Sequence, residues 1–218
     1  MCNCRGLIVG AGGALLCASV ASGAIIATTG AAIQIATPAS ALPETITSDT
    51  QVFAWNEDQD VTLAGPLTLN AIASGTYNNF GMTGAFSLSA GTRVASDYIH
   101  FDRVAPEVLT SAASGVVTFD ADVIGVIMIG DGGPTYLDDS DFLGSATLYP
   151  DGLAIRGMEL SINSDTFGIS PSRRVLSFNF VASNPGDAIR VITLPVPAPG
   201  SVVLLGVVGC CAGVRRRR

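Results

Sequence analysis

The chain has 218 residues, of which 13% are charged and only 6% aromatic, and a formal net charge of −7. All 11 basic residues are arginines; Arg5 and Arg215 to Arg218 sit at the ends, so the interior sets six arginines against 18 acids, a net −12. A body that acidic repels phosphate backbones, which excludes a nucleic-acid partner. Cys2, Cys4 and Cys17 lie at one end and Cys210 and Cys211 at the other, so the body has neither a disulfide framework nor a thiolate zinc site.

The chain opens with Arg5, then a long run of apolar and small residues without an acid until Glu44. A basic start, an apolar stretch and small residues at −3 and −1 are the parts of a secretory signal. Cleavage after Ala21, Ala24 or Ala41 fits. Ala39-Ser40-Ala41 is the best small-x-small pattern, and Pro38 breaks a helix just before it, so the leader is placed at residues 1–41. The glycine pair in "LIVGAGGALL" imitates a dinucleotide-binding turn, but Leu15 stands where a third glycine is required. Leu15 and Leu16 likewise spoil a lipoprotein reading of Cys17.

Residues 42–194 read as a succession of short strands. "QVFAW" alternates loosely, and "TGAFSLSA" puts Phe86 and Leu88 on one face. "RVASDYIHFD" is the longest strand, from Arg93 to Asp102. "SGVVTFD" pairs Val117 with Phe119. "VIGVIMIG" is apolar on both faces, which predicts a central strand covered on both sides. "RGMELSIN", "RRVLSFNFVA" and "AIRVITL" complete the set. "GDGGP", "YPDG" and "SNPGD" supply turns, and "LDDSDFLGS" a single short helical turn capped by Asp139 or Ser140. The pattern predicts an all-β fold, an antiparallel β-sandwich of jelly-roll type, flanked by an N-terminal signal helix and a short C-terminal hydrophobic helix.

Candidate chemistry in the body is sparse. A period of two puts Tyr98, His100 and Asp102 on one strand face, opposite Ile99 and Phe101. No nucleophile elbow accompanies the single histidine, so it reads as a surface histidine beside an acid and no catalytic residue is assigned. Asn56, Asp58 and Asp60 resemble the opening of a calcium loop, but Val61 replaces the required glycine and Leu67 the closing glutamate. Asp131, Asp138, Asp139 and Asp141 gather in a second acidic loop, where turn-forming acids explain them equally well. No metal ligand and no cofactor is assigned. Trp55, the single tryptophan, is expected in the core.

From Pro195 the character changes. Pro195, Pro197 and Pro199 hold the chain extended and accessible. Ser201 to Val214 is apolar or small, which makes about 21 Å of helix at ~1.5 Å per residue, short of the ~30 Å hydrocarbon core. Arg215, Arg216, Arg217 and Arg218 follow at once and would stay cytoplasmic, as would Arg5, so the body between them is placed outside. Val196-Pro197-Ala198-Pro199-Gly200, the apolar segment with Leu204-Leu205-Gly206, and the arginine block together resemble the PEP-CTERM sorting signal of bacterial envelope proteins, in a "VPAPG" variant. The resemblance implies cleavage near the prolines by an exosortase-like protease. "YIHFD", "GVVTFD", "IGVI", "DDSDFLGSATLYP", "RGMEL" and "IRVIT" are similar to an uncharacterised group of secreted proteins carrying such a signal, which implies no activity.

The sequence therefore predicts a leader (1–41), a β-domain (42–194) and a sorting signal (195–218). The expected protein is exported to the cell envelope, surface or extracellular matrix. Its expected partners are signal peptidase, an exosortase-like protease and, transiently through both ends, the inner membrane. The domain reads as non-enzymatic and structural or interactive. The alternatives are a module that binds exported polysaccharide, with or without calcium, and a glycan hydrolase.

Overall fold

A computed structural model describes residues 23–104, 110–128, 136–153, 156–161, 164–182 and 186–195. All of them belong to one unit, Ala21–Pro197. In chain order its elements are β1 (Ile25–Gly30), β2 (Ala32–Gln34), β3 (Val52–Asn56), β4 (Val61–Thr62), β5 (Leu67–Leu69), β6 (Gly75–Tyr77), β7 (Phe86–Leu88), β8 (Arg93–Phe101), β9 (Ser111–Phe119), β10 (Val123–Ile127), the one-turn helix α1 (Tyr136–Asp139), β11 (Thr166–Ile169), β12 (Val175–Ala182) and β13 (Asp187–Thr193). The fold is all-β, as the strand pattern predicts. Among the described residues no helix is long and apolar enough to cross a membrane. The predicted C-terminal helix and residues 1–22 of the predicted leader lie outside the described residues.

Two large sheets carry the unit. One has five strands in the order β1-β9-β12-β11-β6, the other six in the order β10-β13-β8-β3-β2, with β4 added to β8; β5 and β7 form a separate ladder. The large-sheet pairings are antiparallel apart from β2 and β3, which run parallel. One hydrophobic cluster draws on both sheets: Val117, Phe119, Phe167, Leu176, Phe178 and Phe180 from the first, and Val52, Ala54, Ile99, Phe101, Ile189 and Val191 from the second. The chain passes from one sheet to the other between β1 and β2 through Gly30, whose φ is +71°. A Cβ there would stand 2.7 Å from the Ser114 carbonyl oxygen, so only glycine makes this corner.

The six-stranded sheet is buried on its other face as well. There Trp55, Val94, Tyr98, Ile127, Ala188 and Ile192 pack against Leu67 and Leu69 of β5, Leu137 of α1, and Ala41, Leu63, Leu143 and Tyr149 from the segments between strands. This second cover explains why every residue of β13 is buried and why β8 is buried from Val94 onward. Trp55 has no exposed surface, in keeping with its expected core position.

Three expectations need correction. β10 ("VIGVI") is an edge strand, not a central one. Its free edge is sealed by irregular chain: Asn70 N–H donates to Val126 O, Val126 N–H to Ala71 O, and Met128 N–H to Asn70 Oδ1. Secondly, the stretch "RGMELSIN" forms no extended strand among its described residues, only a bridge from Leu160 to Asp165. The third concerns the leader. β1 and β2 lie inside 1–41, with Ile25 and Ala32 in the shared core and Ala41 buried in the second cluster. Five residues of β1 pair with β9. A domain starting at Leu42 would lose both strands, so the folded unit starts before β1 and Ala39-Ser40-Ala41 is part of it.

Candidate functional site

The outer face of the six-stranded sheet holds a buried charged cluster. Alternation along β8 points Val94, Ser96, Tyr98 and His100 outward, and along β13 it points Ala188, Arg190 and Ile192 the same way. Arg190 and Glu57 have no exposed side-chain surface. Arg190 Nε and Nη2 donate to the two carboxylate oxygens of Glu57 at 2.7 and 2.8 Å, a bidentate pair. Glu57 also accepts from the Ser96 and Tyr149 hydroxyls. Burial works against the Arg190 charge, but Glu57 outweighs it and holds the guanidinium protonated.

Arg156 lies beside this pair. It donates from Nε to the Tyr98 hydroxyl at 3.0 Å, from Nη1 to Asp138 at 2.8 Å, and from Nη2 to Asp141 at 2.6 Å. Arg190 Nη2 reaches the same Asp141 oxygen at 3.0 Å. Both guanidiniums lie over the rings of Tyr98 and Tyr149, which are themselves 4.9 Å apart. Burial raises the pKa of both phenols, and for Tyr149 the Glu57 charge adds to it, so both stay neutral. The cluster clamps α1 and the turn at Asp141–Gly144 onto the sheet. Asp138 and Asp141 are therefore the counter-ions of two arginines and not open cation ligands. Asp139 is exposed, and Asp131 lies outside the described residues. Ser140 accepts no capping bond; its hydroxyl donates to Leu137 O and accepts from Arg190.

In the first acidic loop, Asp58 accepts from Ser145 N–H at 3.1 Å, Asp60 pairs with Arg93, and Asn56 accepts from Ile25 N–H at 3.0 Å. Those three side chains diverge.

His100 is not a surface residue. It is 6% exposed, edge-on to Trp55 at a ring distance of 6.1 Å and tilted against Tyr98 at 6.4 Å. Burial and the Arg156 charge push its pKa down to about 4. It lines a small cleft with Ala41, Pro43, Tyr98, Leu153 and Arg156 that has room for about one water molecule. Asp102 does not orient it: that carboxylate accepts from Glu44 N–H at 2.7 Å.

No protein-family model, curated protein or solved structure matches the chain. What the site can do therefore follows from its own geometry.

A second cluster, of acids alone, lies where β13 begins. One carboxylate oxygen from each of Glu159, Asp165 and Asp187 lies within 4.8 Å of the other two. Asp165, just before β11, accepts from Glu159 N–H at 2.8 Å and from Val181 N–H at 2.7 Å, which fixes it to the five-stranded sheet. Asp187 belongs to the six-stranded sheet, paired with Phe101 of β8. Burial raises the pKa of Asp165, and raises that of Asp187 well above the usual range, with the charges of Asp165, Glu159 and Asp102 adding to the shift. Nothing in the spacing of these residues signals a site. They are 6 and 22 positions apart and meet only because two sheets do.

The sorting residues Val196, Pro197, Ala198, Pro199, Gly200 and Arg215 to Arg218 lie outside the described residues.

Proposed function

We propose that this chain is an exported, non-enzymatic β-protein of the bacterial cell surface or extracellular matrix. A leader is removed at its start by signal peptidase, and a sorting tail near its end by an exosortase-like protease. One observation supports the reading: the described fold, from residue 23 to 195, lies between the stretch read as a leader and the stretch read as a sorting tail. Ser19 and Ala21 are small residues at −3 and −1 of the earliest cleavage point, and Pro197 lies within the "VPAPG" motif. Cleavage after Ala21 keeps β1 and β2; cleavage after Ala41 removes them. The inner membrane then holds both ends only until they are cut.

The shared core favours a sandwich of the two large sheets. The outer arginine cluster favours a scaffold role, because its guanidinium donors are spent on Glu57, Asp138, Asp141 and backbone carbonyls that hold the fold together.

Mass spectrometry of the mature protein from the host's surface fraction tests this. The expected chain starts at Ser22 and ends between Val196 and Gly200. A mature chain starting at Leu42, or one that keeps Arg215 to Arg218, overturns it.

A further inference from the structure

We propose that Glu159, Asp165 and Asp187 form a calcium site that ties the start of β13 to the segment entering β11, and so fastens one large sheet to the other. The donor set is three carboxylates, which suits a hard cation. Their oxygens lie within 4.8 Å of one another, the span available to two ligands on opposite sides of one calcium ion at ~2.4 Å each.

A second observation is independent of that grouping. Asp187 is 4% exposed, and its Oδ2 is buried without a hydrogen-bond partner. Buried carboxylate oxygens are almost always partnered, so an orphan oxygen beside two other carboxylates marks a missing positive ligand. Asp102 Oδ1 is buried and unpartnered too, and the Asp102 charge also acts on Asp187. The largest charges acting on Asp187 are all carboxylates. Backbone geometry holds the acids together: Gly186 has φ +85°, and a Cβ on it would stand 2.4 Å from Phe101 O, so the chain reaches Asp187 along a path only glycine fits. Glu159 is exposed and opens the site to solvent, which supplies both the entry route and the water ligands that complete the shell.

The test is calcium titration of the full-length protein, stripped with chelator, by calorimetry and by thermal melting followed on Trp55. One calcium per chain is expected. At free calcium about 100-fold above Kd the melting temperature rises by about 5–10 °C, and magnesium at the same concentration gives a smaller shift. Glu159→Gln, at an exposed position, leaves the chelated protein's melting temperature within about 2 °C of wild type and weakens calcium at least about tenfold. Asp187→Asn removes the calcium response and raises the melting temperature in chelator. Three results overturn the site: wild type melting identically in calcium and chelator, an equal response to magnesium, or a calcium response that survives both substitutions.

Discussion

Replacing Glu57 with glutamine tests the central claim about the outer face, that a buried ion pair anchors the loop layer to the sheet. The carboxylate accepts both donors of Arg190 and the hydroxyls of Ser96 and Tyr149, all of them buried. Glutamine keeps the volume but removes the charge and turns one acceptor into a donor. Arg190 is then left with Asp141, Ser140 and the Leu137 carbonyl. Removing one partner of a buried pair costs about 3–5 kcal/mol, because the other charge stays desolvated. For a domain of this size that lowers the melting temperature by about 6–20 °C. Urea unfolding followed on Trp55 reads it directly, since that ring packs 5.0 Å from Tyr98 in the same cluster. Pairing Glu57→Leu with Arg190→Met should recover most of the loss, since an apolar pair of similar volume carries no desolvation penalty. A Glu57→Gln loss below about 1 kcal/mol would refute the reasoning, as it is the size expected of an exposed pair.

His100 predicts an acid-sensitive contribution. Its folded pKa of about 4 lies below the unfolded 6.5, so the unfolded chain binds more protons between those values, and the contribution is present above pH 6.5 and lost as pH falls through 4. Arg156 is the charge that faces it; Tyr98 and Trp55 flank the ring, Ala188 lies opposite on β13, and the Ile46 backbone accepts from it. Stability curves for wild type and His100→Gln should therefore diverge by about 3 kcal/mol between pH 6.5 and 4, and parallel curves would remove the claim. Asp97 has the opposite sign. Burial first, then the charges of Glu57 and Asp120, raise its pKa well above normal, so its contribution is present below the unfolded value and lost as pH rises. Asp97→Asn should add at least about 1 kcal/mol at pH 7 and nothing near pH 3.5, measured by urea midpoints at both.

The strands that were legible in the sequence are those with one apolar face or a long β-branched run. β8, β9, β12 and β13 each fall where "RVASDYIHFD", "SGVVTFD", "RRVLSFNFVA" and "AIRVITL" place them. β1 and β2 were hidden because "IIATTGAAIQ" has the small, uncharged composition of an export leader, and composition does not separate a leader from a two-sided strand. The edge position of β10 was hidden for a related reason. An apolar run reports how much cover a strand has, not whether strands or irregular chain supply it, and here residues 70–71 seal the free edge. The ion pair was illegible because Glu57 and Arg190 are 133 positions apart, although an arginine inside "AIRVITL" is a charge where the period puts core.

Counter-charge is what divides the buried acids of this body. Each of its six internal arginines is engaged: Arg93 with Asp60, Arg103 with Asp49, Arg156 with Asp138 and Asp141, Arg174 with Asp122, Arg190 with Glu57, and Arg173 with the carbonyls of Ile72 and Val123. Asp97 and Asp187 are both buried, and both carry carboxylate oxygens without partners. Their surroundings differ. Asp97 faces the apolar space between the sheets beside Ile99 and Val191, and among the described residues it belongs to no group of three ligating side chains. A proton there neutralises an acid whose anion is disfavoured by burial and by the charges of Glu57 and Asp120. Asp187 has Glu159 and Asp165 within ligand range and an opening to solvent through Glu159. A proton would satisfy one oxygen of that group and leave the rest in mutual repulsion, whereas one divalent ion contacts all three. The same desolvation thus selects a neutral acid at one end of the shared core and a bound metal at the other.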